Sequence, residues 1–387
     1  MQQDLYTVLE SLGWLFRISG IYPFTLNDSG ESRKYALNTI SVTFSIVFFI
    51  VSAKYFYEYS IIIKNVYDAE EESLAVLMIS VRQITSLICI FDASIMKIIY
   101  SRRFMLAINN LALQDQILKI MGYSLNYKLM FRISVLSIPC YLLVSNTLLN
   151  SEFLVVSSVD IPTAFRVFGN FSILVQMTNT ILFVFLIINV GQRFKGLNFC
   201  ILKLVNHEYT KLGMPISNKT PAEYMQMAAQ VHARLCEIGK AINSVFYITL
   251  IVTTIGAFIF STTMIFYIFT LAKYGFQNVG FSPVFLFFAL LFIQIFTVLK
   301  IVLSCNWTSR QAAITSKILH SLSLSDMCVD DDSLSEMVRT FSMQILHHNF
   351  SFTAAGFFQI DSTLIQSFAG AVTTYLVILI QFDPKIA

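Results

Sequence analysis

Residues 284–305 read VFLFFALLFIQIFTVLKIVLSC and carry a single charge, on Lys300. A helix needs about 20 mostly apolar residues to cross the hydrocarbon core of a bilayer, and this stretch is long enough. The whole chain has the same character, because 56% of its 387 residues are hydrophobic, 13% are charged and the mean hydropathy is +0.68. Such values are not those of an ordinary soluble domain, so they predict an integral membrane protein. The formal net charge of +3 gives no argument for a nucleic acid as partner.

The same length criterion identifies further apolar runs on both sides of this one. The chain is therefore predicted to be an all-α, seven-transmembrane helical protein that forms one domain over residues 1–387. The predicted spans lie near 37–57, 73–95, 129–149, 167–190, 242–270, 284–305 and 362–382.

The orientation follows from the basic residues, which concentrate in cytoplasmic connections of membrane proteins. The connection from 96 to 128 has five Lys or Arg residues against one acid, Asp115, and the stretch from 191 to 241 has seven. The first loop, in contrast, carries Asp68, Glu70, Glu71 and Glu72. With seven spans, this pattern predicts a cytoplasmic N-terminus and an extracellular C-terminus. The long connections at 191–241 and 306–361 look helical and predict a cytoplasmic helical base.

The residues before the first span predict an additional short helix. Leu5, Val8, Leu9, Leu12, Leu15 and Phe16 recur at helical spacing. Such a helix either lies on the membrane surface or packs on the cytoplasmic side of the protein itself.

The seventh span carries a polar and small-residue stripe on one side of the predicted helix. A stripe of this kind faces either another helix or a water-lined pathway, since lipid does not satisfy its polar groups. The sequence alone leaves both alternatives open. The stripe consists of Thr363, Gln366, Gly370, Thr373, Val377 and Gln381.

The end of this span resembles the insect gustatory receptor family. Residues 374–382, TYLVILIQF, match the family's ending of Thr-Tyr, five hydrophobic residues and Gln-Phe, and residues 352–358, FTAAGFF, with Asp361, are also similar to it. The resemblance is specific over about the last forty residues. Over the rest of the chain it concerns the topology.

The resemblance implies a tetrameric ligand-gated cation channel in which the last helix of each subunit lines a central pore. By the motif match, Gln381 and Phe382 lie at the extracellular mouth, with Val377, Thr373 and Gln366 further along the pore. Phe382 would be a hydrophobic gate, and since it lies about 100° around the helix from Gln381, a modest rotation could exchange the two side chains. The implied partners are a small-molecule tastant, membrane lipid and other copies, as a homotetramer or as a heteromer with other gustatory receptors. The implied location is the plasma membrane of a taste-neuron dendrite.

The resemblance also implies a ligand pocket in the extracellular half, among spans two to six. Arg82 is the most unusual candidate, because a charge inside a span costs about 2.5 to 3.5 kcal/mol. It either donates hydrogen bonds to a ligand, together with Gln83, or makes an interhelical ion pair or snorkels. Asp92 is expected to pair with a nearby base such as Lys97. The other pocket candidates are mostly aromatic, amide and hydroxyl side chains: Tyr141, Asn146, Asn170, Phe171, Thr262, Tyr267 and Phe288.

Several other functions compete with a bitter or aversive taste receptor. Sugar receptors of the family tend to have Glu after the motif Tyr, where this chain has Leu376, which leaves a fructose-type receptor open. An odorant receptor would share the architecture, but the Gln381-Phe382 ending argues against it. A G-protein-coupled receptor would need the opposite topology and its Asp-Arg-Tyr motif, and a secondary transporter would show repeats that are not visible here.

No enzyme motif, cofactor site or metal site is predicted. Cys200, His207, His232 and Cys236 could be combined into a zinc site, but their intervals match no familiar finger. Buried packing in the base is the preferred interpretation of these residues. The chain also has no phosphate-binding glycine-rich loop or nucleophile elbow.

Overall fold

The structure is a computed structural model of the 387-residue chain. It describes residues 5–18, 24–28, 33–67, 84–128, 163–205, 220–274, 281–323, 332–347 and 350–382, with the isolated positions 80, 132 and 143.

Helices account for most of the described residues. Their bounds, in chain order, are α1 Leu5–Ile18, α2 Thr39–Tyr67, α3 Ile84–Ile99, α4 Ser101–Ile120, α5 Thr163–Val205, α6 Pro221–Val245, α7 Tyr247–Tyr274, α8 Phe281–Ser323, α9 Asp332–His347 and α10 Ser362–Phe382.

Six of the seven predicted spans overlap described helices, with some differences at their starts. Leu37 lies in a strand, and residues 242–245 belong to α6, so the helix of the fifth span begins at Tyr247. Five helices, α2, α5, α7, α8 and α10, are long and apolar enough to cross a membrane, and α3 with α4 adds a sixth candidate that is bent by 75°. The third predicted span, near 129–149, lies outside the described residues apart from positions 132 and 143.

Two of the spanning helices are much longer than a bilayer requires. α5 and α8 each have 43 residues, a length of about 65 Å, or roughly twice the hydrocarbon thickness. They remain paired beyond the membrane, because Asn198 on α5 donates to the carbonyl of Gln311 at 2.8 Å and accepts from Thr315 at 2.7 Å. This confirms the prediction that these spans continue into a cytoplasmic base.

The base is completed by α4, α6 and α9. α6 packs against α4, α5 and α9, while α4 also contacts α5 and α9 also contacts α8. α6 begins with a capping box, in which the Thr220 side chain accepts from the Glu223 backbone and Glu223 returns a bond to the Thr220 N–H. Pro221 follows at the first helical position, where its missing N–H is tolerated. The local sequence therefore fixes where this helix starts.

The N-terminal helix packs on the protein, which selects the second of its two predicted alternatives. Leu5, Val8, Leu9 and Phe16 on α1 are each no more than 1% exposed. The Tyr6 hydroxyl donates to the Asn109 side chain on α4 at 3.1 Å. The described part of the apolar face of α1 is thus covered by the protein itself.

Two short antiparallel hairpins were not anticipated by the helical prediction. β1 (Phe24–Asp28) pairs with β2 (Arg33–Leu37), and β3 (Thr353–Ala354) pairs with β4 (Phe358–Gln359). The β3–β4 hairpin turns through Ala355 and Gly356, whose φ angles of 51° and 80° lie in the left-handed region. It lies directly before α10 and so positions the start of that helix.

Candidate functional site: the last helix and the buried polar clusters

α10 is attached to the rest of the chain along one side only. Phe258 of α7 makes edge-to-face ring contacts with Phe368, at a centroid distance of 6.0 Å, and with Tyr375, at 5.6 Å. Leu364 and Ile365 also pack against the core. Tyr375 thus packs against a neighbouring span, although this residue remains 54% exposed.

The predicted stripe lies on the uncovered side of α10. Thr363, Gln366, Gly370, Thr373, Val377 and Gln381 are all exposed. Within the most apolar part of Ser362–Gln381, only 6% of the residues are buried by the rest of the chain. The Thr373 hydroxyl donates to the Ala369 carbonyl at 2.9 Å, which satisfies it within the helix. The amides of Gln366 and Gln381 point away from the chain that carries them.

The start of α10 is fixed by a cap and by the β3–β4 hairpin. The carboxylate of Asp361 accepts from the Thr363 backbone N–H at 2.9 Å and from the Thr363 hydroxyl at 2.5 Å. These bonds to the ionised form lower the pKa of Asp361. The hairpin is itself tied to the end of α6, because the Asn243 amide donates to the Thr353 carbonyl at 2.9 Å.

The extracellular end of α10 is described only in part. Gln381 is exposed, and Phe382 is the last residue of the helix. The side chain of Phe382 lies outside the described part of the structure, so its role as a gate and the exchange with Gln381 stay predictions.

The ligand candidates are placed very unevenly. Arg82, Gln83, Tyr141 and Asn146 lie outside the described residues. Asn170 and Phe171 belong to α5 and Tyr267 belongs to α7, but the side chains of these three are also outside the description.

Two ligand candidates have described side chains. Thr262 is 5% exposed and donates to the Phe258 carbonyl at 2.9 Å, which uses its hydroxyl hydrogen within α7. Phe288 on α8 is 52% exposed, so its ring lies on the surface of the single chain. Because the side chains of the other seven candidates lie outside the described part of the structure, the ligand pocket stays a prediction.

A buried polar cluster lies at the inner end of α3, where residues Asp92–Met96 form a π-helical turn. The predicted pair is confirmed, since Lys97 Nζ lies 3.4 Å from Asp92 Oδ2 and both side chains are at most 2% exposed. Asp92 also accepts from Asn179 of α5, at 3.0 Å, and from the Thr249 hydroxyl of α7. Lys97 donates to the Val245 carbonyl at 2.9 Å. The cluster joins three predicted spans at one level.

A second buried cluster holds α5 to α4 and was missed by sequence reasoning. Arg193 is fully buried, and its Nε and Nη2 lie 2.7 and 2.9 Å from the two carboxylate oxygens of Asp115. Arg193 Nη2 also donates to the Tyr127 hydroxyl at 3.0 Å, and Nη1 donates to the Asn189 carbonyl at 2.7 Å. In the sequence, Arg193 and Asp115 indicated only the orientation of the chain. The signal that could have revealed their ion pair is that Asp115 is the one acid among five basic residues of the 96–128 connection.

Three residues of the cysteine and histidine set, Cys200, His232 and Cys236, are buried in the base. Cys236 Sγ lies 3.8 Å from His232 Nδ1, and the His232 ring is flanked by Phe194 and Phe341. Burial raises the pKa of the Cys236 thiol to about 12, as expected for a cysteine in an apolar interior. His207 lies outside the described residues, and the described part holds no group of three metal-ligating side chains.

One cavity opens on the base between α8 and the end of α9. Its volume is about 370 Å³, and His232 and Phe350 form its floor. Ser309, Ala312 and Ser316 line it from α8, and Ile345 and Leu346 line it from α9. This cavity lies on the cytoplasmic side of the protein, opposite to the ligand pocket that is expected in the extracellular half.

The fold and the last helix together define a multi-pass helical membrane protein. Residues 9–386 match the sequence profile of the 7tm chemosensory receptor family, so the chain belongs to that family. The similarity to gustatory receptors seen in the sequence is therefore confirmed.

Curated relatives from Drosophila melanogaster are gustatory receptors. Gustatory receptor 28b is 31% identical over 173 residues, which are 43% of this chain and 36% of that protein. The gustatory receptor for bitter taste 66a is 29% identical over 163 residues, 42% of this chain and 31% of the relative. The gustatory receptor for sugar taste 43a is 35% identical over 22% of this chain and 19% of its own length. The matched region thus covers about a third or less of each relative.

The fold has a counterpart among solved structures. The insect olfactory receptor OR5 from Machilis hrabei superposes with a TM-score of 0.67, covering 97% of this chain and 98% of the other, at 16% sequence identity. At that identity, the similarity concerns the fold alone.

Proposed function

We propose that this chain is a subunit of a taste receptor that works as a ligand-gated, non-selective cation channel opened by an external tastant. The single observation that carries the proposal is the polar stripe of α10, which lies on the face that its own chain leaves uncovered. Two glutamine amides facing lipid would be costly. When several copies meet around an axis, the same face borders a water-filled pore.

The proposed assembly is a homotetramer, or a heteromer with other gustatory receptors, in the plasma membrane of a taste-neuron dendrite. The attachment of α10 supports an arrangement around a central axis, because α7 and α8 cover only its other side. In this proposal the cytoplasmic base holds the copies together.

The proposed ligand is a bitter or otherwise aversive compound. The support is the similarity to the bitter-taste receptor 66a over 42% of this chain, against 22% for the sugar-taste receptor 43a. Leu376 in place of the acid typical of sugar receptors agrees with this choice. A fructose-type sugar receptor is the second candidate, favoured by the higher identity within its shorter match. The shared fold with OR5 keeps an odorant receptor as the third.

The test is whole-cell current in cells that express this chain alone, with G-protein signalling blocked, while bitter compounds and sugars are applied. Wild type is compared with Gln381→Ala and Phe382→Ala, and surface expression is measured for each. A fast ligand-evoked cation current that both substitutions alter supports the channel. A response that disappears with the G-protein block would overturn it.

Phe382→Ala also tests the gate. If the Phe382 ring closes the pore by excluding water, the variant conducts without ligand. A variant that stays closed at normal surface expression would contradict this role.

A further inference from the structure

We propose that the outer face of α4 is a binding surface for anionic phospholipid of the cytoplasmic leaflet. The bend between α3 and α4 is the first observation. α3 ends at Ile99, and α4 leaves it at an angle of 75°. A helix that turns by this angle directly after a membrane span runs nearly parallel to the membrane surface.

The depth of α4 follows from this angle. Its 20 residues give a length of about 30 Å, and at 75° to the span the helix moves only about 8 Å along the span axis. The headgroup region of one leaflet is about 5 to 8 Å thick. The whole of α4 therefore stays at about the level of the headgroups.

One face of α4 is fixed to the protein. Phe104, Ile108, Leu111 and Leu118 are each at most 2% exposed. The Phe104 ring packs against Phe24 of β1, with a centroid distance of 5.1 Å, and also contacts Phe246, at 6.1 Å. The helix is thus held in one orientation, and its opposite face is equally well defined.

The opposite face carries an apolar stripe at seven-residue spacing. Leu106, Leu113 and Ile120 are 52%, 50% and 48% exposed, and they lie about 180° around the helix from the buried face. Three exposed aliphatic side chains in register along about 20 Å of helix form a stripe that water does not favour. Insertion among acyl chains and glycerol groups would cover it.

The charges beside this stripe are those that an anionic membrane attracts. Arg102 and Arg103 are exposed in the first turn of α4, next to the inner end of span two. Asp115 is the one acidic residue of α4, and it turns inward to Arg193. Tyr100, whose ring lies 5.8 Å from the Arg103 guanidinium carbon, occupies the position where aromatic residues mark membrane interfaces. A basic and apolar face without an opposing acid fits an anionic lipid surface.

The depth of the stripe can be tested with the full-length chain in lipid nanodiscs. Leu113→Trp adds a fluorophore to the stripe, and Met343→Trp adds one at an equally exposed position, 50%, on α9 of the base. Brominated phosphatidylcholine quenches tryptophan that reaches the acyl chains. We expect it to remove most of the emission added by Leu113→Trp and none of that added by Met343→Trp, after subtraction of the two native tryptophans.

The charge preference is tested by native mass spectrometry in competition between phosphatidylserine and phosphatidylcholine. The double variant Arg102→Gln/Arg103→Gln should lower the affinity for phosphatidylserine about fivefold for each arginine removed. The matched control is Arg310→Gln/Lys317→Gln, two exposed bases on the cytoplasmic part of α8, which should leave it unchanged.

Three results would overturn the proposal. One is Leu113→Trp emission that brominated lipid does not reduce in folded protein. Another is a loss of phosphatidylserine binding no larger than that of the α8 control. The third is an added tryptophan shielded from both lipid and water, because a second copy or another protein would then cover the stripe. Leu106→Trp repeats the depth measurement at an independent position of the same stripe.

Discussion

Two helices of similar apolarity have opposite surroundings in this chain. The window within Val175–Leu204 of α5 has a mean hydropathy of 1.4 and is 78% buried, whereas the window within Ser362–Gln381 of α10 has a mean hydropathy of 1.8 and is 6% buried. Hydropathy therefore reports that a helix tolerates an apolar environment. It does not report whether the chain's own residues, lipid or another copy provides it.

The difference between α5 and α10 comes from individual contacts. α5 is surrounded by the chain's own helices, and its polar residues find partners there, as Arg193 does with Asp115. The polar residues of α10 face outward. The comparison implies that α5 holds the single chain together, whereas α10 depends on what lies outside it.

Breaking the Arg193 cluster should produce the largest loss of stability. Arg193→Met leaves the Asp115 carboxylate without its ion-pair partner, and removal of one member of a buried pair costs about 3 to 5 kcal/mol. Thermal unfolding of detergent-solubilised protein should show it. The matched control is Lys195→Met, an exposed base on the same helix, which should unfold like wild type. Equal unfolding temperatures for the two variants would contradict a structural role for this cluster.

A methyl group added to α5 should lower stability, whereas one added to α10 should not. In Gly191→Ala on α5 the new Cβ would overlap the Trp307 ring and lie 2.7 Å from the Thr308 hydroxyl, so we expect a destabilisation of about 1 to 3 kcal/mol. In Gly370→Ala on α10 the new Cβ meets nothing within 4 Å in the same chain, and stability should not fall. Denaturant unfolding measures both.

Gly370→Ala also distinguishes folding from assembly. If copies of α10 approach one another around a pore, the variant should alter ligand-evoked current while the fold of the single chain is unchanged. A clear loss of single-chain stability in Gly370→Ala would mean that α10 is packed more tightly in its own chain than the structure indicates.

The smallest expected effect concerns the cap of α10 and its dependence on pH. Hydrogen bonds from Thr363 lower the pKa of Asp361, so the ionised form is favoured by folding. The stabilisation is present above the ordinary aspartate pKa of about 3.8 and is lost as the pH falls through the lowered value. Because Asp361 lies close to solvent, which weakens such interactions, the stabilisation should be less than about 1 kcal/mol.

Hydrogen exchange of the first turn of α10, at neutral and at acidic pH, measures this effect. In wild type, acidification should accelerate exchange in the first turn of α10 more than in the first turn of α6, which serves as the internal reference. Asp361→Asn should remove most of this additional acceleration. If the additional acceleration persists in Asp361→Asn, a group other than Asp361 causes it.

The sequence was sufficient for the spans that the structure describes, because a run of apolar residues is a local property. It was also sufficient for the Asp92–Lys97 pair, whose members are five residues apart. It could not supply Asn179 and Thr249, which reach Asp92 from 87 and 157 positions away. Lys97 and Arg193 also counted as topological signals, and the sequence could not show that each is buried against a distant partner. That partner is the Val245 carbonyl for Lys97 and the Asp115 carboxylate for Arg193.

The hairpin before α10 escaped prediction for a different reason. Its strands have two residues each, too few to show an alternating pattern. Its connection has three residues, Ala355-Gly356-Phe357, and lacks the Asn-Gly or Asp-Gly pair that strongly signals a two-residue turn. The stripe of α10 was predicted in full, but a single helix cannot reveal what its exposed face meets.

The most direct test of a pore along α10 is cysteine accessibility at two neighbouring positions. Val377 lies on the stripe and is 47% exposed, and Ile378 lies about 100° away and is 40% exposed in the single chain. During ligand-evoked current, a charged methanethiosulfonate reagent is applied to Val377→Cys and Ile378→Cys. We predict a rapid, irreversible change of current for Val377→Cys and none for Ile378→Cys. Equal modification of both, or modification of Ile378→Cys alone, would contradict a pore lined by this stripe.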